Sequence, residues 1–249
     1  MDPRERAVSR FRDACQREEL IVAAFLGGSL AAGTPDEASD VDIYAVTRIA
    51  DYERLFLRRA SFVESWAQPL LLLETLNFEG LGFDMLHFVL DDGVHGELAL
   101  GHADNFRVMH GGPHRVLVDK TGLLNGVTFA KYAPSSSERR QQAEHALNWF
   151  WLDLIQFRKQ RYRRHRVAMA AQLTRMRAHC SQLLAVARDH DLSTDWGSLR
   201  DRLEETIEID DPATAARAIV QIHQELGTRV ASYFGLPYPT AVAALLSRD

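Results

Sequence analysis

Residues 27–46 read GGSLAAGTPDEASDVDIYAV. The stretch runs from two glycines through a loop of small and polar residues into an apolar strand. Alternate residues of a strand face the same side, so Asp40 and Asp42 project together while Val41 and Ile43 face a core. Two neighbouring carboxylates repel each other, so such a pair requires either a shared proton or a bound cation.

Magnesium is the cation that best fits this pattern. Mg²⁺ prefers oxygen ligands and is commonly held by one or two carboxylates together with substrate phosphates. Upstream, residues 20–26 are predicted to form a buried strand, and Gly28 and Ser29 follow at a strand-to-helix turn whose free N–H groups can bind phosphate. Carboxylates and phosphate cradle therefore come from neighbouring strands, a layout typical of phosphoryl or nucleotidyl transfer.

The rest of the first half alternates between helical and strand patterns. Helices are predicted over residues 3–19 and 50–67, and a second strand over residues 41–47. The apolar segments LLLETLNF and FDMLHFVL flank the turn EGLG and predict a hairpin. RVLVDKTG is predicted as a last short strand, whereas the Gly- and His-rich residues 91–114 give no assignment.

The character of the chain changes at residues 131–138, KYAPSSSE, where a proline and three serines indicate a linker and a helix cap. From residue 137 onward almost every segment has a helical period, including a helix that begins at Asp211-Pro212. The sequence therefore predicts an α+β protein. Residues 1–134 are expected to form a mixed sheet with flanking helices, and residues 135–249 an all-helical bundle.

Composition narrows the class of protein. The net charge of -5 disfavours a nucleic-acid partner, since general nucleic-acid binders are usually basic. The N-terminus lacks the apolar run of a signal peptide, and no apolar stretch is long enough to cross a bilayer. Cys15 and Cys180 have no metal-ligand spacing and are predicted to be reduced packing residues. A cytoplasmic protein without a membrane partner is expected.

The motif resembles that of the DNA polymerase beta-like nucleotidyltransferases. That family carries a hydrophobic residue and Gly-[Gly/Ser], a loop of about a dozen residues, and then Asp-x-Asp between hydrophobic residues. Residues 26–29, LGGS, match the first part, and residues 39–43, SDVDI, match the second. Ser39 departs from the pattern, because an apolar residue usually precedes the first aspartate.

The resemblance also implies roles for individual residues. Asp40, Asp42 and a third carboxylate on a later strand would hold two Mg²⁺ ions. Asp84, within FDML, fits the third position and would help to remove the proton of the acceptor, while the mid-strand Glu74 remains its competitor. The nucleotide-binding residues would be Gly27, Gly28, Ser29 and Ser39, although the Ser39 hydroxyl is equally suited to closing the loop.

The order of the two halves is similar to that of antibiotic nucleotidyltransferases acting on aminoglycosides or lincosamides. This likeness implies a catalytic domain over residues 1–134 and a helical substrate-binding domain over residues 135–249. The implied reaction transfers a nucleoside monophosphate, with AMP expected, from an NTP to a hydroxyl of a small molecule such as an antibiotic, and releases pyrophosphate. The resemblance leaves a homodimer open.

Two other functions remain open. One is a nucleotidyltransferase-fold antitoxin or protein-AMPylating regulatory module that acts through a protein partner, and the other is an inactive nucleotide-binding relic. The long helical half favours the enzyme, because minimal regulators usually lack it. The most basic run, residues 158–166 (RKQRYRRHR), fits either a triphosphate contact or, as such runs more often do, a solvated helix face.

Overall fold

The computed structural model describes residues 2–75, 82–131, 133–190, 192 and 196–246. The chain divides into two compact units, Met1–Tyr132 and Ala133–Asp249. This division lies close to the boundary predicted after residue 134.

The first unit contains a six-stranded mixed sheet. Its strands are β1 (Ile21–Leu26), β2 (Val41–Thr47), β3 (Pro69–Thr75), β4 (Asp84–Leu90), β5 (His95–His102) and β6 (Arg115–Asp119). They lie in the order β3-β4-β5-β2-β1-β6. Strands β2 and β5 pair in parallel, and every other neighbouring pair is antiparallel.

The helices of this unit are α1 (Pro3–Arg17), α2 (Gly28–Ala32), α3 (Tyr52–Phe56) and α4 (Arg59–Glu64), with 3-10 turns at Ile49–Asp51 and Phe106–Val108. Helix α1 begins where the Asp2 side chain accepts a hydrogen bond from the Arg4 N–H at 2.8 Å, and Pro3 occupies its first turn. Its apolar stripe, which includes Phe11, is buried.

The sheet has a core on each face because strand residues alternate. On one face, Ile43 and Leu98 belong to the same buried cluster as Phe11 of α1. On the other face, Phe25 and Tyr44 stack with ring centroids 4.5 Å apart and share a cluster with residues after β5. The face of the sheet on which a polar side chain lies therefore determines which other groups it can contact.

Helices make up the second unit: α5 (Ser136–Tyr162), α6 (Arg166–Asp189), α7 (Trp196–Glu205), α8 (Pro212–Phe234) and α9 (Thr240–Leu246). Helix α5 begins with a capping box in which Ser135 and Glu138 cap each other's backbone N–H groups. Asp211 caps α8 in the same position that the Asp-Pro pair predicted. The apolar faces of these helices form one buried cluster.

The predicted fold class, a mixed sheet with helices followed by a helical region, is confirmed. One local prediction was wrong, and one segment without an assignment contains a strand. The helix over residues 50–67 is a 3-10 turn followed by two short helices, because the backbone leaves helical geometry at Arg58 (φ -122°, ψ 22°). The unassigned residues 91–114 contain β5, a central strand. The predicted hairpin turn over residues 79–82 lies mostly outside the described residues.

No helix in the described part of the chain is long and apolar enough to cross a membrane. Cys15 and Cys180 are free and buried, as expected of packing residues.

Candidate active site

The glycine turn lies at the end of β1, beside the start of β2, the strand that carries Asp42. Antiparallel pairing places Leu26, the last residue of β1, opposite Ile43 of β2. The Gly27 N–H then donates to the Asp42 carbonyl oxygen at 2.8 Å. The turn that follows β1 is thus fixed directly to the backbone of the strand that carries Asp42.

Gly28 is required here for two reasons. Its φ of +63° is rarely adopted by residues with a side chain, and a Cβ at this position would lie 1.9 Å from Oδ2 of Asp42. A Cβ on Gly27 would meet the rings of His110 at 2.7 Å and Tyr44 at 2.9 Å. The Asp42 carboxylate therefore lies against bare backbone at the first turn of α2, where the early N–H groups have no partner within the helix.

The pKa of Asp42 is raised by burial and by neighbouring like charges. Burial, and then the negative charges of Asp40 and Glu97, raise the pKa of Asp42 to about 6. Neither Asp40 nor Asp42 forms a salt bridge with another described residue. The Asp-x-Asp pair therefore holds negative charge that the surrounding side chains do not neutralise.

Glu97 is the site residue that the sequence did not reveal. It lies on β5 directly opposite Asp42 in the parallel β2–β5 register, so both side chains project from the same face. The available signal was weak: Glu97 is the one charged residue within the small and apolar run GELALG. Because the segment was not assigned to a strand, its face could not be deduced.

A polar row continues from Glu97 across the sheet. His87 of β4 is opposite Glu97, and its Nδ1 lies 3.2 Å from Oε1 of Glu97. The other ring nitrogen of His87 contacts the hydroxyl of Thr75 on β3. His87 therefore lies between the Glu97 carboxylate and the Thr75 hydroxyl and contacts both.

The structure does not bring Asp84 to the Asp40–Asp42 pair. Asp84 is opposite Leu100 on β5, and Leu100 is an odd number of residues from Glu97, so Asp84 faces the other side of the sheet. There it accepts a hydrogen bond from the hydroxyl of Tyr52 on α3. The expectation that Asp84 is adjacent to the pair was therefore wrong, because sequence order alone did not fix the strand register.

Glu74 also faces away from the pair. It lies opposite Leu86, a residue of the helix-covered core, and forms a salt bridge with Arg59 at 2.5 Å. Thus neither Asp84 nor Glu74, the two candidates for the third carboxylate, lies on the same face of the sheet as Asp42.

The other two residues expected to bind nucleotide, Ser29 and Ser39, lie in different local structures. Ser29 is half-buried in α2, next to the Gly28 turn. The Ser39 hydroxyl instead closes the loop, because it accepts from the Asp36 N–H at 2.9 Å and donates to Oδ1 of Asp36 at 2.8 Å. Of the two roles considered for Ser39, this geometry favours the structural one.

The chemistry of Asp40, Asp42 and Glu97 suits a divalent cation, but their side chains are not arranged as a complete metal site. Among the described residues, no group of three or more His, Cys, Asp or Glu side chains is arranged to hold a metal ion. Asp40, Asp42 and Glu97 nevertheless supply only carboxylate oxygens, the ligands that Mg²⁺ prefers, and burial together with the negative charges of Asp40 and Glu97 raises the pKa of Asp42. A cation bound by these residues would remove that repulsion.

Comparison with known families supports the motif. Residues 8–77 match the family model described as a nucleotidyltransferase domain. The matched stretch contains the glycine turn, Asp40 and Asp42, so the resemblance recognised in the motif is confirmed over these residues. The match supports nucleotidyl transfer, with an NTP as substrate, as the reaction class.

Among solved structures, the chain is similar to an aminoglycoside 6-adenyltransferase from Bacillus subtilis, with 13% sequence identity, full coverage of both chains and a TM-score of 0.37. A likeness at this level carries no conclusion about substrate. No curated protein matches the chain.

Proposed function

We propose that the protein is a Mg²⁺-dependent nucleotidyltransferase that transfers a nucleoside monophosphate, with AMP expected, from an NTP to a hydroxyl of a small molecule. The observation that supports this most is the meeting of Asp42, Glu97 and the Gly28 turn on one face of the sheet. This arrangement combines clustered carboxylates with a glycine backbone turn, and it lies in or beside the residues that match the nucleotidyltransferase family.

In this proposal Asp40 and Asp42 hold the metal ions and Glu97 replaces Asp84 as the third carboxylate. Bound metal would neutralise the triphosphate and lower the pKa of the attacking hydroxyl. The N–H groups after Gly27 would hold phosphate oxygens, with Ser29 adding a hydroxyl beside them. A bound cation would also favour the ionised form of Asp42, which burial and its like-charged neighbours disfavour.

The reaction forms one bond and breaks one. The acceptor oxygen attacks the α-phosphorus, the bond between the α-phosphorus and the bridging oxygen breaks, and pyrophosphate leaves with that electron pair. Glu97 accepts the hydroxyl proton as the new bond forms. His87, whose Nδ1 lies 3.2 Å from Oε1 of Glu97, would limit the positions that this carboxylate adopts.

We assign the acceptor to the helical unit. The support is the length of the helical region, which spans α5 to α9, and its resemblance in order to antibiotic nucleotidyltransferases. An aminoglycoside or lincosamide is the acceptor class to examine first. The alternative, a module that modifies or binds a protein partner, predicts a different labelled product.

The experiment incubates the protein with each of the four NTPs, labelled at the α-phosphate, in Mg²⁺ and with a panel of aminoglycosides and lincosamides. We expect one antibiotic to gain the mass of a nucleoside monophosphate while pyrophosphate is released. An Asp40→Asn, Asp42→Asn double variant is the matched control and should give neither product.

The other outcomes also discriminate. Label on added cell proteins, with none on small molecules, would replace the proposal with the protein-modifying alternative. Equal NTP affinity in Mg²⁺ and in EDTA, measured by calorimetry, would contradict the metal-dependent site itself.

A further inference from the structure

A cavity of about 210 Å³ lies within the helical unit, between α5, α8 and α9. Its floor is apolar and consists of buried side chains: Leu154 and Phe157 of α5 and Ala213, Ala216 and Val220 of α8. The two alanines matter, because larger residues on that face of α8 would fill the space. The cavity is smaller than the roughly 300–1,000 Å³ of pockets for drug-sized ligands.

The rim of this cavity is basic. It is lined by Arg158 and Arg161 of α5 and by Arg217 of α8, with the amides of Gln221 and Gln224 beside them. Helical spacing explains the convergence, since residues three and four apart share a face. No carboxylate is among the described residues that line the cavity.

The arginines are positioned by contacts with neutral groups. Arg217 Nη2 donates to Thr214 Oγ1 at 2.8 Å. Arg158 donates to the carbonyl oxygen of Leu246, so it links α5 to the end of α9. Asp211, the N-cap of α8, is within electrostatic range of Arg217, but its carboxylate already accepts hydrogen bonds from Thr214.

Two arginines on this rim, Arg161 and Arg217, form no salt bridge within the described part of the chain. Their positive charges are therefore available to a bound anion. Guanidinium groups recognise carboxylates and phosphates through paired N–H donors, and such charge-assisted bonds are stronger than neutral ones. An apolar floor beneath them suits the non-polar part of the same ligand.

We propose that this cavity is a second binding site, which takes a small organic anion. Its carboxylate or phosphate would contact Arg161 and Arg217, and its apolar body would contact Phe157 and Val220. All lining residues belong to the helical unit, and none is a residue of the candidate active site. The proposal stands whether or not the protein transfers nucleotides.

The test uses benzoate and phenyl phosphate as probes and benzamide as the neutral match, with the full chain in the absence of Mg²⁺ and NTP. We expect calorimetry to detect both anions and benzamide to bind at least about tenfold more weakly, the size expected for loss of a charged hydrogen bond. Arg161→Gln and Arg217→Gln should each weaken benzoate binding about tenfold.

Two controls separate this site from general attraction of anions. Arg200→Gln removes the same charge from α7, outside the cavity, and should leave benzoate affinity unchanged. Ala216→Val reduces the cavity while keeping every charge, and it should weaken binding of benzoate but not of inorganic phosphate. Circular dichroism of each variant establishes that it is folded.

Several results would overturn the proposal: equal binding of benzamide and benzoate, affinity unaffected by Arg161→Gln and Arg217→Gln, or an equal loss in Arg200→Gln. Displacement of benzoate by metal-free ATP at comparable concentration would show that the cavity is a triphosphate site and not one for a small anion.

Discussion

Glu97 and Asp84 differ in the face of the sheet to which each points, and this difference predicts opposite effects of removing their charges. Glu97→Gln should reduce the rate of single-turnover transfer by roughly a thousandfold, because the variant loses the proton acceptor beside Asp42. Asp84→Asn should keep the rate within about tenfold and lower the free energy of unfolding by about 1 kcal/mol, since only the bond from Tyr52 is weakened.

Single-turnover rates and urea unfolding, measured on both variants, check this pair. Tyr52→Phe is the control for Asp84→Asn, because it removes the same hydrogen bond from the other partner. A large loss of rate in Asp84→Asn with none in Glu97→Gln would restore Asp84 as the third carboxylate.

His87 offers a way to separate orientation of Glu97 from its chemistry. His87→Ala should lower kcat by about ten- to a hundredfold, the usual cost of losing a residue that orients a metal-site carboxylate, with the KM for NTP nearly unchanged. His87→Asn should restore most of kcat, since its side-chain amide can contact Glu97 in place of the His87 ring. Equal losses in both variants would mean that His87 contributes packing alone.

Among the secondary-structure elements, the turn from β1 into α2 depends most on glycine. Gly28→Ala would place a Cβ against the Asp42 carboxylate and should weaken binding of Mg²⁺ and NTP more than tenfold, because displacing that carboxylate removes a ligand. Gly33→Ala is the matched control: its φ is also positive, at +73°, but nothing lies within 4 Å of the added Cβ.

Both glycine variants should lose about 1–2 kcal/mol of stability from left-handed backbone strain. Calorimetric titration with Mg²⁺ and NTP then separates them, because we expect only Gly28→Ala to lose affinity. Equal affinities in the two variants would show that Asp42 does not need the bare backbone of Gly28.

The packing of α5 against α8 gives the protein an acid-sensitive element. His223 of α8 stacks on Phe150 with ring centroids 3.7 Å apart, and its Nε2–H donates to the Ala146 carbonyl oxygen at 3.3 Å. Burial, reinforced by the charge of His179, lowers the pKa of His223 to about 3. Between pH 3 and 6.5 the unfolded chain therefore binds a proton at this position that the folded chain excludes.

Folding stability should consequently fall as the pH is lowered from 6.5 toward 3, by about 1.4 kcal/mol per pH unit from this one residue. His223→Phe keeps a planar ring but cannot titrate, so its free energy of unfolding should depend less steeply on pH over that window. Urea unfolding at several pH values measures the difference in slope, and identical slopes would contradict a buried neutral His223.

For the molecule as a whole, the two compact units predict separable activities. Each unit has a buried apolar cluster formed by its own residues, so residues 1–132 should fold alone and bind an NTP in Mg²⁺. The same fragment should fail to transfer nucleotide to a small molecule, because we assign the acceptor to the helical unit. Asp42→Asn in the fragment is the control for binding.

Calorimetry of NTP binding and mass spectrometry of the acceptor, applied to the fragment and the full chain, give the two readouts. Transfer by the fragment at the rate of the full chain would show that the helical unit does not bind the acceptor.

The sequence by itself determined the features that depend on neighbouring residues. The glycine turn, the Asp-x-Asp strand, the cap of α8 and the change to helices after residue 131 all follow from local pattern, because periodicity and capping act over a few residues. The tertiary structure alone decided the third carboxylate. Residue 97 meets Asp42 only through the parallel pairing of β2 with β5, and Asp84 is directed away by its register opposite Leu100. Strand pairing joins distant segments, and a shift of one residue in the pairing reverses the face of every side chain. Local sequence pattern therefore could not assign Glu97 or Asp84 to a face of the sheet.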